Sequence, residues 1–312
     1  MSSNDQHKPN IISNQDGSYT RLLNFPSTEP DSMSATNPVL SKDIPVNPKT
    51  QTMVRLFLPR KVLDSKTKLP IIFYYHGGAF LFLSATTTVF HEFCSNMALE
   101  LQAIVVSVDY RLAPEHRLPA AYEDAIDVLH WIKTTEEKWV REFADFCSCF
   151  LMGTSSGGNL AYYAGLRASE VSDHLGPVKI KGLILHHPFF GGSERTGSEL
   201  KMEHDPVLSL RTCDEAWKLV LPIGADRDHE YCNPTVGDTA DIWEAMRAMS
   251  WRVLVVGCYG DPLIDRQMGL AKMLEEKGVR TVTHFGDGCH GMEITYPSKA
   301  PNLFFVLKNF LY

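Results

Sequence analysis

Long apolar runs are missing from this 312-residue chain, and none approaches the ~20 residues that a bilayer-crossing helix needs. Met1 to Asn10 is polar and lacks the charged-then-apolar layout of a secretion signal. No Asn-x-Ser/Thr sequon is usable, because Asn233 is followed by Pro234. The cysteines number seven, an odd count, and form no CxxC pair. Together these absences predict a cytoplasmic protein with reduced thiols and no membrane association. There is no HExxH and no cysteine cluster, so no metal is expected, and no G-x-G-x-x-G, so no dinucleotide is indicated. No cofactor is expected on these grounds. Lys and Arg total 30 against 37 Asp and Glu, a net charge of −7, with no clustered basic face to take a nucleic acid. A small-molecule partner remains, and monomer and dimer are equally open.

What is present is a strand-helix alternation. Thr52 to Leu58 alternates apolar and polar residues, as a half-buried strand does. Leu69 to Tyr75 is a continuous apolar run, the pattern of a strand covered on both faces, Ala103 to Val108 reads as another buried strand, Ile180 to His187 and Trp251 to Gly257 as further strands, and Arg280 to Phe285 as the last. Between them lie helical stretches at Thr88–Leu101, Ala120–Thr134, Asn159–Arg167, Glu244–Ser250 and Arg266–Lys277, with Asn302–Leu311 closing the chain. This order predicts an α/β fold with a mostly parallel, doubly wound central sheet flanked by helices. Residues 1–50 are polar and rich in Ser, Asn, Pro and Asp. They are expected to be mobile at their start and then to pack on or near the main domain, with a short strand near Gly17–Leu23. Residues 51–312 form the catalytic domain in this reading. A stretch at about 195–235, mostly helical over Met202–Leu221 and then a charged loop, is expected to form a small cap over the C-terminal edge of the sheet.

The stretch with the clearest chemistry is Gly153-Thr154-Ser155-Ser156-Gly157, which follows an apolar run and opens a helix. It fits G-x-S-x-G, a strained strand-to-helix turn in which side chains two positions either side of the serine would collide. The Ser155 hydroxyl would stand above the sheet at the positive end of a helix. Gly77 and Gly78, directly after the Leu69–Tyr75 strand, let backbone N–H groups point into open space, as an oxyanion hole requires. Asp261 follows a later strand and His290 follows the last, on the glycine-flanked turn Gly286–Gly291. All three sites fall at C-terminal strand ends, where the active sites of open α/β sheets gather. Of the rival histidines, His284 lies within a strand, and His186 and His187 end a strand but precede Asp261 in the chain. Asp265, one helical turn after Asp261, is the rival acid, suited instead to steadying the loop or the helix start. Phe80, Phe190, Trp217, Leu221 and Met292 are candidates to line an apolar substrate pocket.

Several motifs taken together resemble the plant carboxylesterases of the hormone-sensitive-lipase type, within the α/β-hydrolase fold. They are His76-Gly77-Gly78-Ala79-Phe80, Asp109–Glu115 continuing through Leu118–Ala125, Gly153–Asn159, Gly224–Pro234, Gly260-Asp261-Pro262-Leu263 and His290, spread over about residues 50–312. The resemblance implies a triad of Ser155, Asp261 and His290, with the N–H groups of Gly77, Gly78 and Ser156 as the oxyanion hole. It implies hydrolysis of a small to medium hydrophobic ester through an acyl-enzyme. Two positions depart from the family pattern. Thr154 stands where an Asp or Glu usually precedes the nucleophile, which predicts weaker electrostatic support of the site, and Ala79 stands for the third glycine of His-Gly-Gly-Gly. Two other activities stay open at this point. One is a lyase or cyclase of plant specialised metabolism on the same fold. The other is a non-catalytic ligand binder similar to the gibberellin receptors, which generally lack the histidine.

Overall fold

The computed structural model describes residues 10–65, 67–236 and 240–312. Among them, eight strands form one sheet. In chain order the elements begin with β1 (Ile11–Ser13) and β2 (Tyr19–Arg21), a small antiparallel ribbon. There follow β3 (Val39–Asn47), β4 (Thr52–Pro59), β5 (Leu69–Tyr75), α1 (Thr88–Leu101), β6 (Ile104–Asp109), α2 (Ala120–Thr134) and α3 (Lys138–Phe143). Next come β7 (Ala144–Thr154), α4 (Ser156–Glu170), β8 (Ile180–His186), α5 (Gly197–Lys201), α6 (Leu210–Val220) and α7 (Ala240–Ala248). The chain ends with β9 (Arg252–Cys258), α8 (Ile264–Glu276), β10 (Arg280–Gly286), α9 (Met292–Thr295) and α10 (Ala300–Leu311).

The sheet runs in the order β10-β9-β8-β7-β5-β6-β4-β3. It is parallel from β10 to β6, and β4 and β3 join antiparallel. This is the mostly parallel sheet that the alternation predicts. Every residue of β5 is buried, as expected of a strand covered on both faces. Two apolar clusters sit on its opposite faces. One holds α2 and α4, with Tyr122, Tyr162 and Trp217 among its largest members. The other holds α1 and α10, with Phe90, Phe93 and Phe304.

The sheet begins earlier than residue 51. β3 pairs with β4 from Val39↔Pro59 to Asn47↔Thr52, so part of the polar segment is the outer strand. Its sequence hides this, because only Val39, Leu40 and Ser41 are fully buried and Pro45 interrupts the run. An edge strand tolerates both. The start of the segment, expected to be mobile, lies outside the described residues. The stretch 195–235 supplies α5 and α6, and of the mostly helical range Met202–Leu221 only Leu210–Val220 is helix, with a turn around Asp205 before it. No helix among the described residues is long and apolar enough to cross a membrane.

Candidate active site

β7 ends at Thr154, α4 starts at Ser156, and Ser155 between them has φ 58° and ψ −119°. A non-glycine residue held there costs of order 1–3 kcal/mol and persists only when its surroundings enforce it. They do so through the backbone. The Ser155 N–H donates to His186 O at 2.9 Å, and Ser155 O accepts from the N–H groups of Gly158, Asn159 and Phe189 at 2.9–3.1 Å. The flanking glycines are obligatory for steric reasons. A Cβ on Gly153 would lie 1.9 Å from Gly157 O, and one on Gly157 would lie 1.9 Å from Tyr75 O. The turn therefore presses against the end of β5, and Gly157 and Gly158 lie in the first turn of α4.

His290, on the turn after β10, faces this serine. Its Nε2 is 2.9 Å from Ser155 Oγ, and its Nδ1 is 2.7 Å from Asp261 Oδ2. The hydroxyl, imidazole and carboxylate thus stand in one line of hydrogen bonds, drawn from three strand ends. Asp261 is fully buried, and burial alone would favour its neutral form. The His290 and His187 imidazoles beside it outweigh burial and hold its carboxyl well below the usual range. Gln267 Nε2 also donates to Oδ2 at 2.8 Å, and the Leu263 N–H donates to Oδ1 at 2.9 Å. Asp265 points elsewhere. It accepts from the Ser198 N–H at 2.7 Å, tying the start of α5 to α8, and takes no part in the serine-imidazole line.

The His76-Gly77-Gly78 loop lies against the same serine. A Cβ on Gly77 would come 3.3 Å from Ser155 Cβ. Gly78 has φ +116°, which L side chains rarely adopt, and its carbonyl accepts from the N–H groups of Leu81 and Phe82. Ala79 follows at φ 56°, so the third position of the motif keeps a glycine-like backbone while carrying a methyl. Among the described residues, no backbone carbonyl takes the N–H of Gly77, Gly78 or Ser156. His76 braces the loop, with Nδ1 2.7 Å from Gly77 O and its ring stacked 4.2 Å from Tyr110. A further brace comes from β2. The Arg21 guanidinium donates to Leu81 O at 2.6 Å and to Ala113 O at 2.8 Å, and pairs with both carboxylate oxygens of Glu115.

The expected pocket residues are placed differently. Phe80, Phe190 and Trp217 are each 1% exposed and Leu221 is 2% exposed. Phe80 packs edge-on to Tyr122, Phe190 edge-on to Tyr162, and Trp217 stacks on Phe189 at 4.7 Å. These four are core members, drawn inward because large apolar side chains gain most from full burial. Met292 is half-buried beside Gly288. The open cavity near the site, about 260 Å³, instead has Ile11, Ala79, Phe82, Ala216 and Leu219 in its wall. It brings β1, the glycine loop and α6 together.

Composition and chain order do not reveal the polar groups beneath Asp261. His187, in the left-handed region at φ 46°, sets Nδ1 3.1 Å from Asp261 Oδ2. Glu293 Oε2 lies 3.1 Å from His186 Nε2 and 3.4 Å from His187 Nε2. The one available signal was the His186-His187 pair at a strand end. The donor atoms of His186, His187 and Glu293, and of His187, Asp261 and His290, are close enough to resemble metal ligand sets. Each faces a hydrogen-bonding partner within the group.

A family model described as the alpha/beta hydrolase fold matches residues 72–294. Carboxylesterase 20 of Arabidopsis thaliana is 51% identical over 311 residues, covering 97% of this chain and 95% of that one. A 3-O-acetylpapaveroxine carboxylesterase of Papaver somniferum is 45% identical over 308 residues, covering 95% and 96%. Among solved structures, an esterase of Pyrobaculum calidifontis superposes with a TM-score of 0.72 at 27% identity, over 91% of this chain and 85% of that one. With relatives this similar aligned over almost their whole length, and a family model that matches most of the sheet, the chain belongs to the plant carboxylesterases of the hormone-sensitive-lipase type, within the α/β-hydrolase fold.

Proposed function

We propose that Ser155, His290 and Asp261 are the catalytic triad of a carboxylic ester hydrolase. The observation that carries this reading is the unbroken line from Ser155 Oγ through His290 to Asp261, at 2.9 and 2.7 Å. His290 Nε2 takes the hydroxyl proton as Oγ bonds to the ester carbonyl carbon. The charge that develops on the carbonyl oxygen is met by the N–H groups of Gly77, Gly78 and Ser156, and one such donor is typically worth about 3–4 kcal/mol of barrier. The C–O bond to the alcohol then breaks, and His290 returns its proton to the departing oxygen. Water attacks the acyl-enzyme with His290 again as base, releasing the acid and restoring Ser155. Asp261 keeps the Nδ1 proton in place and stabilises the imidazolium. The intact base favours hydrolysis over a binder of the gibberellin-receptor kind.

We infer a small to medium hydrophobic ester as substrate. The cavity beside Ala79, about 260 Å³, lies below the usual ~300–1,000 Å³ of sites for drug-sized ligands. The poppy relative is named for an acetyl ester, which fits a short acyl group. In this reading residues 195–235 serve as the cap, since α6 forms one wall of that cavity. All seven cysteines are free thiols, in keeping with a cytoplasmic protein. The expected result is that p-nitrophenyl acetate and butyrate show kcat/KM at least about tenfold above p-nitrophenyl dodecanoate. Equal efficiency across the series would overturn the size assignment. Mass analysis after hydrolysis in 18O water should find the label in the released acid, which elimination would not give.

A further inference from the structure

Beneath the triad lies a buried chain of side chains that ester hydrolysis, as described, does not use. Tyr74 OH is 2.8 Å from Thr154 Oγ1, which is 2.9 Å from His186 Nδ1. His186 Nε2 meets Glu293 Oε2 at 3.1 Å, and the same oxygen is 3.4 Å from His187 Nε2. His187 Nδ1 meets Asp261 Oδ2 at 3.1 Å. His186, His187 and Asp261 are fully buried and Glu293 nearly so.

Hydrogen-bond directions along this chain are constrained. An ionised carboxylate only accepts. His186 can satisfy its neighbours while neutral, accepting the Thr154 hydroxyl proton at Nδ1 and donating from Nε2 to Glu293. His187 is placed differently, with carboxylate oxygens near both nitrogens, Asp261 Oδ2 at 3.1 Å from Nδ1 and Glu293 Oε2 at 3.4 Å from Nε2. A neutral ring would turn its Nε2 lone pair toward Glu293 and depend on a thiol donor. The remaining partner is Cys258, whose Sγ is 3.7 Å from Nε2, the long and weak alternative.

We propose that His187 is a buried imidazolium held between Asp261 and Glu293, and that His187 and Glu293 are positioning residues which set the charge beneath the Asp261–His290 contact. The carboxylate that Thr154 lacks is thereby supplied from α9. In keeping with this, burial works against a charge on His187, yet its hydrogen bonds to Asp261, Cys258 and Glu293 hold its proton affinity well above the usual range. Burial and the charge of His187 push His186 down to about 4. The charged or titratable groups that face His187 are Asp261 and Cys258 from the β9 end, Glu293 from α9, His186 from β8 and His290 from the turn, with ring centroids of His187 and His290 5.4 Å apart.

The test has a structural arm independent of the esterase reading and a kinetic arm that rests on it. In the 15N-histidine-labelled full chain at pH 7.5, His187 should carry both ring N–H protons, its signal assigned by loss in His187→Gln or by its response in Glu293→Gln. A singly protonated His187 in the folded wild type overturns the proposal, whatever the activity. Kinetically, His187→Gln removes a cation near His290 and leaves two carboxylates, so the acid limb of kcat/KM for p-nitrophenyl acetate should move up by about one pH unit. Glu293→Gln leaves that cation uncompensated and should move the limb down by a similar amount. The double variant should return close to wild type, and Glu293→Asp should restore most of the shift. Lower rates with an unmoved limb in both single variants would leave only a packing role and overturn the proposal. If His187→Gln does not fold, the wild-type spectrum and the Glu293 variants still decide. Failure of the wild type to hydrolyse any ester would sink the functional reading while leaving the spectral arm intact.

Discussion

Ser155→Ala should lower kcat toward p-nitrophenyl acetate by at least about 10⁴-fold, on the order seen when a serine nucleophile is removed from a working triad. The substitution keeps a Cβ, so the backbone at φ 58° keeps its geometry and its bonds to His186 O, Gly158, Asn159 and Phe189. The loss therefore falls on chemistry: the variant should melt near the wild-type temperature and bind an ester with little change in affinity. Only the 2.9 Å partner of His290 Nε2 disappears. An organophosphonate should label Ser155 in the wild type and leave the variant unmodified. Retention of more than a few per cent of kcat, with contaminating esterase excluded by active-site titration, would remove Ser155 from the role of nucleophile.

Asp261→Asn should cost about 10³–10⁴ in kcat, and unlike the serine change it should also destabilise the fold. The carboxylate oxygen Oδ2 accepts from three donors, His290 Nδ1, His187 Nδ1 and Gln267 Nε2, at 2.7–3.1 Å. An amide presents either a neutral oxygen to three donors or an NH₂ group that opposes them, and an unsatisfied buried donor costs about 1–3 kcal/mol. The pH dependence has a definite sign. Because the folded-state carboxyl lies below its unfolded value of about 3.9, its contribution is fully present above that value and is lost as pH falls toward the folded one. The stability gap between wild type and Asp261→Asn should be greatest between about pH 5 and 6, narrow on acidification below about pH 4, and narrow again as pH rises above about 6.5, where the raised proton affinity that Asp261 gives His187 stops contributing. Chemical denaturation across that range measures it, and a gap that widens on acidification below about pH 4 would contradict the assignment.

Much of this molecule is legible in its sequence because parallel strands covered on both faces are written as continuous apolar runs, and Leu69–Tyr75 occupies the limits expected for it. The proximity of Ser155, Asp261 and His290 was legible for a related reason. Each follows a strand, and strand ends in such a sheet converge on one rim. Edges were not legible. β3 is buried only at Val39, Leu40 and Ser41, the rest of it is polar, partly exposed or interrupted by Pro45, and only its pairing with β4 marks it as a strand. The charge partners were also hidden. His187 and Glu293 are 106 positions apart in the numbering, and their contact depends on α9 folding back beneath the β8 end. The pocket residues misled because large apolar side chains near a site look the same in sequence whether they face a cavity or the core. Phe80, Phe190, Trp217 and Leu221 face the core.

The position of β3 bears on how this protein can be shortened. A version begun at Gln51, where the polar composition ends, would lack both the outer strand and the Arg21 guanidinium that grips Leu81 and Ala113. It would leave Leu56, Phe57 and Leu58 on a bare strand margin, with unpaired amides open to any passing chain. Such a trimmed product would collect in inclusion bodies instead of yielding a minimal domain.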